Sequence, residues 1–365
     1  MADIRLRPSP LSEKKSFEGI DLFKFLCAVL VVSIHAAPFG QTGITLNRLL
    51  NFGTQHYLAR IAVPFFFVST GFLVFRKQDT NSFSFAAGAR AVWKMYRLYL
   101  IWTAIYIPLI LDKYLPHAYG SWYGLMLMVK DSIFVGSYTH LWYLNASALA
   151  LLLVSFLLHK RVKIARILAV SGVFYLLGLL MQSYYGLFRP LEAVEAVGKF
   201  TNLFMRLIKT TRSGLFCGFF FVSLGAYIAK KPVCISMKQA VIGFACSMAL
   251  MLAEVVALTY MQWIREYDMY VFLVPAVFFL FNIAARLNLK QRRIYILMRK
   301  MSALVYFIFM MVRYIVDRFL GMSFMPGWAW YMRFICVLAV SMLISALIIF
   351  LSEKRRFKWL KKIYS

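Results

Sequence analysis

IDLFKFLCAVLVVSIHAA, residues 20–37, is apolar enough to cross a bilayer but contains three ionisable side chains, Asp21, Lys24 and His35. On an α-helix, Lys24 and His35 lie about 20° past three full turns apart, so they share one face, with Asp21 about 60° to one side of Lys24. At about 1.5 Å rise per residue, Lys24 and His35 are about 16 Å apart along the helix axis. Because ionisable residues inside a span usually face a cavity or a pathway, this polar stripe predicts a functional site.

Two structural explanations of the stripe stay open. Asp21 and Lys24 lie near the end of the span and could form an i,i+3 surface pair, with Lys24 extending to the headgroups. His35 could satisfy a hydrogen bond to a neighbouring helix. The stripe alone does not decide between these explanations and a functional site.

The composition is typical of an integral membrane protein. Of 365 residues, 62% are hydrophobic, and the mean hydropathy is +0.71. The formal charge of +28 does not indicate a nucleic-acid partner, because apolar runs of membrane length separate nearly every basic cluster. The five cysteines have no CxxC or histidine-paired spacing, so we expect small buried apolar residues and no metal site.

Hydropathy predicts an all-α integral membrane protein with about ten spans. They are Ile20–Ala37, Tyr57–Phe75, Tyr96–Leu111, Leu141–Leu158, Ile164–Met181, Ser213–Ile228, Gln239–Gln262, Met269–Ala285, Met301–Arg318 and Ala329–Leu351. Residues 1–18 are predicted to be a cytoplasmic lead, residues 19–352 the membrane domain, and residues 353–365 a basic cytoplasmic tail. The apolar core of a signal peptide would be unusual with Asp, Lys and His in it. The first apolar run is therefore expected to be a membrane span that is retained in the mature protein, and not a signal peptide.

The basic clusters predict the orientation. Dense groups of Lys and Arg at residues 160–166, 286–300 and 354–362 fall in loops on one side and in the tail, which places both termini in the cytoplasm. In this orientation Lys24 lies near the cytoplasm and His35 near the outer face. The first span is then expected to line a polar cavity.

A basic segment, Phe83–Arg97, precedes the third predicted span. Arg90, Lys94 and Arg97 follow one another at i, i+4 and i+7, so they share a helical face. Such a face could attract anionic lipid at the cytoplasmic interface, or it could bind a phosphorylated ligand. Spacing alone favours lipid and leaves the second possibility open.

Five weak motifs follow one another along the chain. They are GIDLFK (19–24) leading to His35, VPFFFVSTGF (63–72), HLWYL (140–144), SGLFCG (213–218) with LGAY (224–227), and the segment from Ser302 through Tyr306 to Ile308. Each alone is compatible with core packing. Together and in this order they resemble the acyltransferase family 3 membrane proteins, which are ten-span bacterial O-acyltransferases, and the resemblance covers nearly the whole chain. They are similar also to the membrane half of vancomycin-resistance membrane serine racemases.

The resemblance implies a multi-pass enzyme of the bacterial plasma (inner) membrane. It implies transfer of an acyl group, commonly acetyl from acetyl-CoA as co-substrate, to a hydroxyl of a cell-envelope glycan or similar small acceptor, with no bound cofactor. The family's basic-residue-to-histidine motif corresponds to Lys24 and His35. Many relatives have Arg at the position of Lys24, and a Lys loses the bidentate fork to phosphate. Many also have His where this chain has Phe309.

The chemistry of acyl transfer assigns roles to the stripe. A base must take the hydroxyl proton, and His35 is the imidazole deep in a predicted span. Asp21 and Lys24 complete the predicted catalytic set. The coenzyme A phosphates are expected to bind a cytoplasmic mouth formed by Lys24, Arg90, Lys94 and Arg97.

The acceptor is expected to contact the HLWYL region, at His140, Trp142 and Asn145. His140 lies where the chain re-enters the membrane, and it could bind the acceptor or be a plain helix-entry residue. A transporter or flippase for a small polar substrate such as serine is the alternative function. In that case the stripe would line a substrate path, and no covalent step would occur.

Overall fold

The computed structural model describes residues 16–40, 45–77, 84–114, 122–231, 233–320 and 327–365, and these form helices and connecting turns with no strand. The α-helices are α1 Glu18–Ala36, α2 Thr45–Phe52, α3 Ala62–Phe75, α4 Phe85–Ile105, α5 Ile107–Tyr114, α6 Trp122–Phe134, α7 Trp142–His159, α8 Ile164–Leu180, α9 Tyr185–Phe188, α10 Glu195–Ile208, α11 Phe219–Lys230, α12 Met237–Tyr260, α13 Leu273–Arg286, α14 Arg293–Leu320 and α15 Gly327–Glu353. Tighter or wider helical turns are Gly53–Tyr57, Leu58–Ile61, Arg189–Ala193, Gly214–Gly218 and Arg355–Ile363. The predicted all-α class is confirmed for these ranges, while most of the predicted lead, residues 1–15, lies outside them.

Each predicted span coincides with an apolar helix or a bent helix pair. Six helical stretches are long and apolar enough to cross a bilayer unaided: Glu18–Ala36, Thr45–Phe75, Trp142–His159, Met237–Tyr260, Arg293–Phe319 and Trp330–Glu353. Two more would cross as bent pairs, α4 with α5 and α8 with Tyr185–Ala193, while Gly214–Lys230 and Leu273–Arg286 are apolar but shorter. The described chain thus has six to eight candidate spans, and the count of ten and the orientation stay predictions.

The basic segment expected before the third span is continuous with it. α4 runs unbroken from Phe85 to Ile105, so the residues of the expected interfacial segment and those of the span share one helix. The chain then turns by 66° into α5. Pro108 accounts for this bend, because proline has no N–H to bond to the carbonyl of Ala104 and its ring collides with that carbonyl.

α1 lies at the centre of the bundle and packs against α14, α3 and α13. Its neighbour α3 is fixed by close contact with α11. A side chain at Gly71 would collide with the carbonyl of Val222, and one at Gly225 would collide with the carbonyl of Val68. Small residues allow membrane helices to approach this closely. The glycines of two of the sequence motifs therefore hold α3 against α11.

The basic tail packs against α4. Trp102 Nε1 donates a hydrogen bond of 2.8 Å to the carbonyl of Ile363, and Arg97 Nη2 donates one of 2.7 Å to the carbonyl of Ser365. Residues 363–365 therefore lie beside the second half of α4.

Candidate functional site

His35 lines a narrow cavity, which we name the histidine cavity. Its wall consists of Val31, Ile34, His35, Ala59, Arg60, Val63, Pro64, His140, Trp142, Arg212, Cys217, Asp268 and Tyr306. The space open to the centre of a water-sized sphere is about 40 Å³, which is room for about three waters. The last turns of α1 thus face a small polar space.

The His35 ring is available to a ligand in this cavity. Within the described ranges, no hydrogen bond involves its nitrogens, and its nearest ring neighbour is Phe309, with centroids 5.4 Å apart. The centroid of the His140 ring lies 5.3 Å from the same phenylalanine. Phe309 is fully buried, so an apolar ring lies beside both imidazoles.

His140 is held in place by the α14 backbone. Its Nε2 lies 3.3 Å from the carbonyl of Phe307, and the hydroxyl of Tyr306 donates to the carbonyl of His140 itself. Its ring also meets Tyr106 edge-on, with centroids 5.0 Å apart. The ring is 1% exposed, and Nδ1 is buried without a partner in the described part of the chain. One nitrogen of His140 is therefore engaged, and the other is left unpaired beside the cavity.

A group of opposite charges, which was not predicted, forms the rest of the polar wall. Arg60 Nη1 and Arg212 Nη1 both donate to Asp268 Oδ1, the second over 3.1 Å. Burial alone would raise the pKa of Asp268, but the two guanidinium groups outweigh burial and hold it below its ordinary value. Arg212 also lies over the ring of Trp142, at 4.9 Å from its centroid. The site therefore contains two cations for one carboxylate.

The loop that carries Arg212 is fixed by a buried hydrogen-bond network. Thr210 Oγ1 donates to Glu266 Oε2 over 2.5 Å, and Gln182 Nε2 donates to Thr210 Oγ1 over 2.9 Å. Burial raises the pKa of the Glu266 carboxyl. The network joins the segment after α10 to the α12–α13 connection, which positions Arg212 and Asp268 together.

A larger cavity, which we name the lysine cavity, begins at Lys24. Its wall consists of Lys24, Phe66, Thr70, Leu73, Val74, Ala91, Lys94, Met95, Leu98, Tyr143, Leu144, Arg299, Lys300, Ser302, Ala303, Tyr306, Phe307, Tyr364 and Ser365. About 560 Å³ is open to the centre of a water-sized sphere. Four cations line it, of which Arg299 and Lys300 of α14 were not predicted. Asp21 forms an ion pair with Arg299, at 3.9 Å. In the described ranges it forms no ion pair with Lys24 within 4 Å.

The predicted phosphate-binding cations are only partly brought together. Lys24 and Lys94 both line the lysine cavity. Arg97 contacts the carbonyl of Ser365 at the cavity's edge. Arg90 is exposed and does not belong to the wall of either described cavity. On this basic face of α4, Lys94 and Arg97 therefore lie at the lysine cavity, whereas Arg90 faces the surroundings.

Tyr306 belongs to the walls of both cavities. On the lysine side its ring packs against Phe66 and Tyr143, with centroids 6.0 and 5.7 Å away. On the histidine side it packs against His140, at 5.6 Å. The two cavities are therefore back to back along α1, with aromatic rings between them.

The three residues predicted to bind an acceptor have different positions. His140 and Trp142 line the histidine cavity. Asn145 instead donates from Nδ2 to the carbonyl of Ile133 over 2.8 Å and belongs to the wall of neither described cavity. Asn145 thus joins α7 to the end of α6.

Comparison with known proteins gives one family. A family model described as an acyltransferase domain matches residues 17–350. An amino-acid racemase of Enterococcus faecalis is 30% identical over 292 residues, which cover 77% of this chain and 38% of that protein. A serine/alanine racemase of Enterococcus gallinarum is 30% identical over 285 residues, covering 74% of this chain and 37% of that protein. The chain thus spans less than two fifths of the length of these relatives, and no solved structure matches it.

Proposed function

This chain belongs to the family of the acyltransferase domain, and on that premise we propose that it moves an acyl group, acetyl in the first instance, from acyl-CoA to a hydroxyl. The acceptor is a cell-envelope glycan or a small hydroxylated molecule. The enzyme works in the bacterial plasma membrane, with acyl-CoA entering from the cytoplasm.

The observation that carries this proposal is the pair of cavities along α1. Lys24 lies in one and His35 in the other, about 16 Å apart at helical rise. Coenzyme A has its phosphates at one end and its thioester at the end of a long flexible arm. A cation-lined cavity for the phosphates and a separate imidazole for the chemistry match that division. Lys24, Lys94, Arg299 and Lys300 supply the cations.

His35 acts as the general base. Its neutral imidazole takes the proton of the acceptor hydroxyl while the oxygen attacks the thioester carbonyl carbon. The carbon–sulfur bond then breaks, and the leaving thiolate recovers the proton from the imidazolium. The products are an ester and free coenzyme A. The pantetheine arm must pass the Tyr306 ring for the thioester to reach His35, so this ring has to move in the catalytic cycle.

The test is transfer of radiolabelled acetyl from acetyl-CoA by the purified chain in liposomes that contain bacterial envelope material. Labelled envelope product and an equal amount of released coenzyme A are expected. Release of coenzyme A without any labelled product, or no consumption of acetyl-CoA, would reject the transferase.

A transporter for a small polar molecule such as serine is the second candidate. The back-to-back cavities favour it, because a carrier that alternates between two faces also needs two spaces with a closure between them. The relatives named as racemases act on amino acids. Uptake of radiolabelled serine into the same liposomes, with no acetyl transfer, would place this function first.

A further inference from the structure

We propose that the histidine cavity recognises a carboxylate on the molecule it binds, through Arg212 and Arg60. The acceptor class is then a hydroxylated carboxylate, a small hydroxy acid or a sugar acid. This inference rests on the proposed function, for which it names the substrate class.

Charge is the first argument. Among the wall residues, Arg60 and Arg212 face a single carboxylate, Asp268, and both bond to the same oxygen of it. One positive charge therefore has no carboxylate of its own among the wall residues, and Glu266, outside the wall, acts on Arg212 without an ion pair within 4 Å in the described part of the chain. A half-buried site with excess charge attracts an ion of opposite sign more strongly than the same charge in water.

The unused donors are the second argument. Arg60 donates a hydrogen bond from Nε to the carbonyl of Gln55, over 2.6 Å, and another from Nη1 to Asp268. Arg212 donates from Nη1 to Asp268, and its Nε is buried with no hydrogen-bond partner in the described part of the chain. A guanidinium carries five N–H donors in a planar fork that matches a carboxylate. Arg212 thus bonds Nη1 to Asp268 in the described part of the chain, which leaves the N–H donors of Nη2 for a bound anion.

Position is the third argument. The Arg212 guanidinium lies on the Trp142 ring, which fixes its plane, and its side chain is 32% exposed, so a ligand can reach it. His35 and His140 line the same small space. A carboxylate on Arg212 therefore places a hydroxyl a few bonds away beside His35. With about 40 Å³ open to a water-sized centre, the cavity suits a small group or the end of a larger one.

The test measures equilibrium binding to the purified full chain in lipid nanodiscs by calorimetry, without any acyl-CoA. Glycerate and glycerol form one matched pair of probes, and glucuronate and glucose form the other, because each pair differs in the carboxylate. We expect the acids to bind at least tenfold more tightly than their neutral partners. Preference for glycerate alone indicates a small hydroxy acid, and preference for glucuronate alone indicates a sugar acid. Equal affinity within both pairs, or no binding of any probe at millimolar concentration, overturns the inference.

Variants then locate the carboxylate. Arg212→Gln and Arg60→Gln are each expected to reduce acid affinity at least tenfold and leave the neutral probes unaffected, while Arg212→Lys keeps a point charge and loses less. Arg265→Gln is the matched control, because Arg265 is exposed, lies over the Tyr185 ring and is not a wall residue. Undiminished acid preference in folded Arg212→Gln and Arg60→Gln would overturn the assignment. The wild-type comparison of probes decides the issue even if a variant fails to fold.

Addition of acetyl-CoA separates this inference from the proposed function. If the acids bind preferentially but no acetyl is transferred to them or to envelope material, the transferase fails and the carboxylate site stands. If glycerol and glucose are acetylated as fast as the acids, the transferase stands and the carboxylate site fails.

Discussion

Replacement of His35 by Gln tests the centre of the proposed chemistry. Gln keeps a polar side chain of similar reach but cannot take a proton from a hydroxyl. A positioned base contributes about 10² to 10⁴ in rate, which corresponds to about 2.7–5.4 kcal/mol of barrier. His140, the second imidazole of the cavity wall, has one nitrogen against the carbonyl of Phe307 and the other unpaired in the described part of the chain, so it offers a partial substitute and the whole range applies. We expect kcat to fall by about 10²–10⁴ with little change in acetyl-CoA affinity.

The assay is continuous detection of released coenzyme A thiol in liposomes, with acetyl-CoA binding measured separately. His159→Gln is the matched control, because His159 is exposed at the end of α7 and belongs to neither cavity wall. Its activity should equal that of the wild type. A folded His35→Gln protein that keeps more than a tenth of wild-type kcat would refute His35 as the base. Loss of acetyl-CoA binding instead of kcat would show that His35 serves the donor.

Three further changes give separable outcomes. Lys24→Ala should raise the KM for acetyl-CoA at least tenfold with a smaller effect on kcat, because it removes a cation from the lysine cavity; steady-state kinetics would contradict this if only kcat changed. Gly71→Ala should lower stability by about 1–3 kcal/mol, because its Cβ meets the carbonyl of Val222, whereas Gly172→Ala, whose Cβ meets only Phe220 at 3.7 Å, should change little; thermal unfolding in detergent compares them. Asp268→Asn should be less stable than the wild type at neutral pH. The folded-state pKa of Asp268 is depressed, so its ionised carboxylate stabilises the fold above the unfolded pKa of about 3.9, and this stabilisation is lost as pH falls through the folded-state pKa. The difference in stability between Asp268→Asn and the wild type should therefore shrink below about pH 4. A stability difference that persists there would contradict the ion-pair explanation.

Local sequence patterns predicted the parts of the site that a single helix carries. Lys24 and His35 share a helix, so the spacing alone predicts a common face, and each now lines a cavity on α1. Hydropathy likewise located the helices, because burial in lipid requires long apolar runs. The predicted start of the third span, at Tyr96, lies inside α4, because basic residues dilute the apolar signal over the first half of that helix.

The charged wall of the histidine cavity could not be found in this way. Arg60 and Asp268 are 208 residues apart and Arg212 and Asp268 are 56 apart, and no local pattern encodes a pairing across such distances. Each of them also lies near the end of a predicted span, where charged residues are common. One signal was present: Arg60 falls inside the predicted second span, where a cation needs a partner.

The aromatic closure at Tyr306 has a consequence for the energised membrane. A continuous polar passage along α1 would conduct protons and dissipate the voltage that the cell maintains, at about 2.3 kcal/mol for each charge that crosses 100 mV. With Tyr306 between Phe66 and His140, aromatic rings separate the two polar spaces in the described structure. Under the proposed function, the acyl group reaches the histidine cavity while the bulk of coenzyme A stays in the lysine cavity, so the transfer does not require a continuous open pore.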